Sequence, residues 1–288
     1  MKRYWISFIL FFAVHSLHAQ IDMQPPELLD VPKFNVASFS YADDSTQNAR
    51  VDVFLQIKYS SLKFIKKSEK FDASYSIQIS VFNSEKELIT EKQWSDALQV
   101  TTFEQTVSNK LQSTHYQSFV LDSGAYSIIV QLRDEETKKS FRKEEGIEVP
   151  SFKRNEFDIS SLLIVDDIIQ KDGKEIIVPN LDRAQRNSFD SSKIFFELYN
   201  GIGFDSAIFI SRILGQKGNE IRVDTFYRSI STGKNRILYS IPKVNAPMGI
   251  YTVEVKANAN HNVKIYSSLR TTLISFKWDG VPDNSPDL

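Results

Sequence analysis

Cysteine is absent from the 288 residues, and histidine is scarce at four. Without thiols there is no disulfide, no thiolate metal site and no lipid-anchored cysteine, so each domain must be held by its apolar core alone. Two of the histidines, His15 and His18, lie near the N-terminus, which leaves His115 and His261 for chemistry further on. Two imidazoles so far apart in sequence cannot build a nitrogen–sulfur metal site. Glycine and proline number only 10 and 9, and no apolar run reaches the roughly 20 residues that a membrane-spanning helix needs. Basic and acidic residues nearly cancel, 35 against 36, which argues against a nucleic-acid binder with its concentrated positive charge.

What is abundant is aromatic. The chain has 21 Phe and 11 Tyr against 3 Met, a bias that suits strands better than helices. Two short stretches organise the rest: Leu121-Asp-Ser-Gly-Ala-Tyr126 and Ala246-Pro-Met-Gly-Ile-Tyr251. Each sets a turn glycine, Gly124 or Gly249, two residues before a tyrosine that opens a β-rich run. The glycine admits a positive φ on entering the strand. The tyrosine can bury its ring and hydrogen-bond its hydroxyl back to the corner it has turned. The cleanest period-two signal runs over 71–81, where Phe71, Ala73, Tyr75, Ile77, Ile79 and Val81 alternate with Asp, Ser and Gln. Eleven alternating residues fit a half-buried strand and cannot give one apolar stripe on a helix.

Turn signals recur about every 8–12 residues, as in β-sandwiches. The expected fold is therefore all-β, with two tandem immunoglobulin-like β-sandwich domains after a signal peptide. Lys2 and Arg3, the apolar run 5–14 and the small residue Ala19 have the three parts of a secretory signal, so 1–19 reads as a signal peptide cleaved after Ala19. Residues 20–33 form a proline-containing leader, 34–150 the first sandwich, 151–279 the second, and 280–288 a flexible tail. Within the first domain a short strand is expected over 59–65 and a helical turn over 106–112. In the second, 180–190 reads as a polar loop, and Lys171-Asp172-Gly173 as a tight hairpin. Removing two of the 35 basic residues with the signal leaves 33 against 36 acidic ones, a net charge near −3. Export implies a periplasmic or secreted protein without a transmembrane segment.

Chemistry-bearing patterns are thin. Thr114 adjoins His115, but neighbours on a strand point to opposite faces, so neither can activate the other. The same geometry separates Asp43-Asp44, Glu135-Glu136, Glu144-Glu145 and Asp166-Asp167. Asp279, Asp283 and Asp287 offer oxygen ligands at a spacing that matches no calcium loop. Gly201-Ile-Gly203 lacks the third glycine and the helix of a phosphate cradle. These patterns imply no catalytic group, no cofactor and no metal; a hydrolase working through scattered carboxylates is the reading they favour least. Candidate ligand contacts are Lys63, Phe64, Lys66, Lys67 and Trp94. The lysines, with Lys70 and Phe71 beside them, either meet an anionic partner or protect an exposed edge strand. Trp94 and Trp278 either stack on a sugar or bury in the alternation of their strands.

Several segments together resemble the opening region of the bacterial GWxTD-domain proteins. They are Val31-Pro-Lys-Phe-Asn-Val-Ala37, Arg50-Val-Asp-Val-Phe-Leu-Gln-Ile-Lys-Tyr-Ser-Ser-Leu-Lys-Phe64, Phe71-Asp-Ala-Ser-Tyr75, Leu121-Asp-Ser-Gly-Ala-Tyr126, Ile176-Ile-Val-Pro-Asn180 and Phe276-Lys-Trp-Asp-Gly-Val-Pro282. The resemblance implies an exported β-rich protein and transfers no catalytic residue. The Gly-Trp-x-Thr-Asp segment that names the family is missing, since the chain has no Gly-Trp pair. The expected role is binding or assembly in the cell envelope, with another envelope protein or a polysaccharide as partner; a carbohydrate-binding module is the alternative.

Overall fold

Eighteen strands carry the described part of the chain. The computed structural model describes residues 34–44, 48–153, 156–171, 174–181, 184–186, 193–241, 247, 249–261 and 264–277. The expected signal, leader and tail, the turn residues Asp172 and Gly173, and Trp278, Asp279, Asp283 and Asp287 lie outside these residues.

The strands form four sheets. The first is three-stranded, β1 (Phe34–Ala42), β2 (Ala49–Lys58) and β6 (Gln112–Leu121), in the order β1-β2-β6. The second joins β3 (Ile65–Lys67), β4 (Lys70–Asn83), β5 (Leu88–Val100), β7 (Gly124–Asp134) and β8 (Ser140–Val149), with β4 at its centre between β5 and β7. The third holds β9 (Phe157–Ile159), β10 (Leu163–Lys171), β11 (Lys174–Pro179), β13 (Lys193–Asn200) and β16 (Gly233–Ser240). The fourth runs β12-β18-β17-β14-β15, from β12 (Ala184–Arg186), β14 (Ser206–Leu214), β15 (Glu220–Ser229), β17 (Gly249–His261) and β18 (Lys264–Lys277).

Alternation explains how these sheets pair. On β4 the odd residues Ala73, Tyr75, Ile77, Ile79 and Val81 are buried. They meet Val51, Val53, Leu55 and Ile57 of β2 and Ile128, Val130 and Leu132 of β7 in one apolar cluster between the first two sheets. A second cluster lies between the third and fourth sheets, built on Ile194, Phe196 and Leu198 of β13 and Val253, Val255 and Ala257 of β17. This is β-sandwich packing, with sheets face to face over interdigitated side chains.

A third cluster joins the two pairs. Ala37, Phe39 and Tyr41, on the other face of β1, pack against Leu163 and Val165 of β10 and Phe195 of β13. The three-stranded sheet is thus covered on both sides along β1 and much of β2, and all these strands belong to one compact unit, Pro32–Leu288. Polar groups in this seam are matched. The Ser40 N–H donates to Ser161 Oγ at 2.9 Å, the Ser161 N–H donates to the Ser40 carbonyl at 2.9 Å, and the Ala42 N–H donates to the Tyr199 hydroxyl at 2.8 Å. Buried Gln56 donates through Nε2 to the Pro179 carbonyl at 3.1 Å. The free edge of β1 is therefore satisfied by the second half of the chain instead of by water.

Both glycine–tyrosine corners form. Tyr126 donates its hydroxyl to the Asp122 carbonyl at 3.1 Å, and Tyr251 donates to the Pro247 carbonyl at 2.7 Å. Each bond reaches four residues back. Gly124 and Gly249 hold φ at +154° and +158°, which residues with a Cβ rarely adopt.

Local expectations fail in three places. Residues 59–65 are not a strand: Tyr59–Ser61 is a 3-10 turn and β3 begins at Ile65. The helical turn, α1, is Phe103–Thr106, fixed by a capping box in which Thr102 and Gln105 each bond the other's backbone N–H; Thr102-x-x-Gln105 was its signal. The supposed polar loop 180–190 contains β12, which adds to β18 in parallel.

Phe39 is 5% exposed in the seam, whereas Phe103 on α1 is 60% exposed. Phe39→Ala is expected to cost about 3–5 kcal/mol in urea unfolding, and Phe103→Ala less than about 0.5 kcal/mol.

Candidate functional site

On the outer face of the β4 sheet the same alternation that buries Tyr75 and Ile77 leaves Ser74, Ser76 and Gln78 half-exposed, while Ser80 on the same face is buried. The register then sets longer side chains on either side of this serine floor. Ser76 lies between Ser95 of β5 and Arg133 of β7, and Gln78 between Gln93 and Gln131. The result is an open groove of about 350 Å3 along β4, lined by Ser76, Gln78, Gln93, Ser95, Gln131, Arg133 and Glu135. No aromatic or aliphatic residue lines it. That sets it apart from the mostly apolar pockets that take hydrophobic small molecules.

Some of the lining is committed. Ser76 donates to Glu135 Oε1 at 2.9 Å, and Lys138 pairs with the other carboxylate oxygen at 3.1 Å. These bonds, Ser76 first, hold the half-exposed Glu135 carboxyl below its ordinary range. Gln78 and Ser80 both donate to Glu91 Oε2 at 2.7 Å and lower that carboxyl likewise, Ser80 foremost. By contrast, among the described residues the side chains of Gln93, Ser95, Gln131 and Arg133 make no hydrogen bond or ion pair. Two amides, a hydroxyl and a guanidinium thus converge on one groove with their bonding capacity unspent.

A second hollow, about 300 Å3, lies where the two halves meet, around Phe152, Tyr199, Asn200 and Lys234. Its polar groups are consumed by the fold. Tyr199 donates to Glu197 at 2.7 Å while accepting from Ala42, and burial first, then Glu197, pushes its hydroxyl pKa up. Asn200 makes four hydrogen bonds, to Gly203, Phe204 and Ser231. Lys234 pairs with Asp44 at 2.7 Å. This hollow is a seam between packed halves, with little left to offer a ligand.

At one end of the first sandwich His115 sits in a polar knot. Its Nε2 lies 2.9 Å from the Tyr75 hydroxyl, 3.2 Å from Ser113 Oγ and 3.8 Å from Asp96 Oδ2. Serine, histidine and aspartate are together, yet the carboxylate and the serine approach the same ring nitrogen. In a charge-relay triad the carboxylate orients the opposite nitrogen, so this arrangement cannot work as one. Burial lowers the His115 pKa, partly offset by Asp96. Burial also pushes the Tyr75 hydroxyl up to about 12. The knot gathers Tyr75, Ser113 and Asp96 around one imidazole nitrogen.

The five residues singled out from the sequence do not share one surface. Lys63, Lys66 and Lys67 are exposed around the β3–β4 hairpin, where Lys67 pairs with Asp72 at 3.6 Å. Phe64 meets Tyr59 at a tilt, with ring centroids 5.8 Å apart, and packs with Trp94 against the inner cluster. Trp94 points inward beside His115, away from the groove formed by its neighbours Gln93 and Ser95. Sequence reasoning missed the groove residues and also Ser113, which reaches His115 because it lies two positions away on the same face. The described side chain at Asp166 accepts from Asn180 at 2.7 Å.

Fold and groove together define an all-β protein of stacked sheets with one polar, open face. No family model matches the chain, and no curated protein does. Among solved structures it is similar to a β-glucuronidase 2 of Bacteroides uniformis, at 11% identity and a TM-score of 0.32 over 82% of this chain and 27% of that one. A putative β-galactosidase from Bacteroides fragilis gives 10% identity and a TM-score of 0.27 over 81% of this chain and 33% of that one. The chain therefore spans about a third or less of these enzymes, and likeness at such scores carries no functional argument.

The lowered His115 pKa makes a signed prediction. A group whose folded pKa lies below its unfolded value adds stability that is complete above the unfolded value, 6.5, and is lost as pH falls through the folded one. The thermal midpoint should therefore drop between about pH 7.5 and pH 5, before the Glu91 and Glu135 carboxyls titrate. In His115→Gln this drop should flatten.

Proposed function

We propose that the chain is an exported, non-catalytic binding protein of the bacterial cell envelope. Two immunoglobulin-like sandwiches in tandem, locked by the central seam, hold the β4 face out to a polysaccharide. The observation that carries this reading is the set of unspent groups, Gln93, Ser95, Gln131 and Arg133, above a serine floor. A polyhydroxylated chain offers paired donors and acceptors that match amides and hydroxyls, and a groove running along one strand suits an extended polymer. A greasy peptide or lipid would find no apolar wall there. Export is supported by Lys2, Arg3, the apolar run after them and Ala19, and an envelope role by the resemblance to the GWxTD-domain proteins. The non-catalytic part is supported by the His115 geometry, in which Asp96 and Ser113 compete for one nitrogen.

Affinity electrophoresis through gels cast with bacterial polysaccharides tests the reading. Retardation by at least one polymer is expected. Gln93→Ala and Gln131→Ala should each weaken it about three- to tenfold, the worth of one or two neutral hydrogen bonds. Free migration in every gel, or recovery of the chain from the cytoplasm, would contradict the proposal.

A further inference from the structure

We infer that the groove is selective for a glycan bearing a carboxylate on some of its rings, with Arg133 as the residue that receives it. The inference rests on the polysaccharide reading above and adds the chemical class of the ligand. Its ground is the charge balance within the groove. Glu135, the one acid in the lining, is already matched: it accepts from Ser76 at 2.9 Å and pairs with Lys138 at 3.1 Å. Arg142, one strand further out, pairs with Glu144 at 3.1 Å. Arg133 lies exposed, opposite Ser76 on one side and Ser140 on the other; it helps, last after Ser76 and Lys138, to lower the Glu135 carboxyl, but it makes no ion pair or hydrogen bond among the described residues. Its planar fork of donors fits a carboxylate with two parallel bonds, which a neutral hydroxyl cannot return.

Beyond the Gln78 end of the groove, Glu91 limits how much negative charge the ligand can carry. Glu91 sits across from Ser80, four residues along β4 from Ser76, about 13 Å at the rise of a strand. It has hydrogen bonds from Ser80 and Gln78 but no ion pair, and so remains an uncompensated anion. A polymer with a carboxylate on every ring would set one of them beside Glu91. The groove therefore fits a chain in which acidic rings alternate with neutral ones: acid at Arg133, hydroxyls over the Gln93–Gln78–Gln131 row.

Calorimetric titration of the purified chain with a hyaluronan decasaccharide, whose carboxylates fall on alternate rings, tests this against the same decasaccharide after carboxyl reduction. The intact probe is expected to bind at least about tenfold more tightly, the worth of a charged hydrogen bond. Arg133→Gln, at an exposed position, should fold as the parent does and bind both probes alike. Glu91→Gln should strengthen binding of the intact probe only. A control with Lys63, Lys66 and Lys67 all changed to Gln, away from the groove, should bind as the parent does. Equal binding of the two probes by the parent would overturn the inference while leaving the polysaccharide reading in place. Binding lost in the lysine variant and kept in Arg133→Gln would move the anion site to the β3–β4 hairpin and overturn it too. No binding of either probe would overturn the inference, and the polysaccharide reading would then stand or fall on retardation in the gels.

Discussion

Burial of the three-stranded sheet on both faces is the constraint that the rest of the molecule obeys. A sheet in a simple sandwich hides one face and wets the other. Here β1 sends Phe34 into the cluster beneath it, and Ala37, Phe39 and Tyr41 into the cluster above it. Each large side chain buried in this way contributes roughly 1.5–3 kcal/mol. The polar residues that come with them would cost that much again if left unpaired. Most are paired: Asp52 accepts from Arg50, Tyr116 and Ser118, and Gln56 and Ser40 bond groups more than a hundred residues away, while the buried Ser38 hydroxyl on β1 makes no hydrogen bond. Tyr41 shows how dry the seam is, since burial first, then Asp52 and Glu197, drive its hydroxyl pKa up. With no disulfide in the chain, this central layer makes two sandwiches into one body.

The proposed binding face is what the central layer leaves outside. Because the seam uses the β1–β2 sheet and the β10–β13 sheet, the β4 sheet becomes an outermost layer with one face free. Its sequence, Asp72-Ala-Ser-Tyr-Ser-Ile-Gln-Ile-Ser80, places small and amide side chains on that face, and flanking strands add longer ones as walls. Rigid support below and unspent polar groups above are what a surface for an extended polar ligand requires. The polar hollow at the seam has the reverse character: its groups are spent holding the halves together.

Local chemistry was readable in part where both partners lie close in sequence, although the Thr102–Gln105 capping box and the Ser113–His115 contact, equally local, were missed. The glycine–tyrosine corners, with bonds from Tyr126 to Asp122 and Tyr251 to Pro247, were legible because the bond spans four residues. So was β4, by alternation alone. What lay beyond reading depends on distant contacts. Asp52 and Gln56 look like the wet side of β2, yet they are 5% and 4% exposed because a second sheet covers them. β12 has too little alternation to be seen and exists only because β18 offers an edge. The groove needs three strands in register, so Gln93, Gln131 and Arg133 gave no signal separately. Lys63, Lys66, Lys67 and Trp94 drew attention as a local cluster; the fold sends the lysines to an exposed hairpin and the tryptophan inward.

Amide hydrogen exchange followed residue by residue tests the doubly buried layer most directly. If β1 and β2 lie between two apolar clusters, the amides of Val51, Val53 and Leu55 should exchange only with global unfolding, as slowly as those of β13. The outer strand β15 should exchange much faster. Exchange of the β2 amides at the rate of β15, with β13 still protected, would mean that the halves part readily in solution and that the central layer does not bind them.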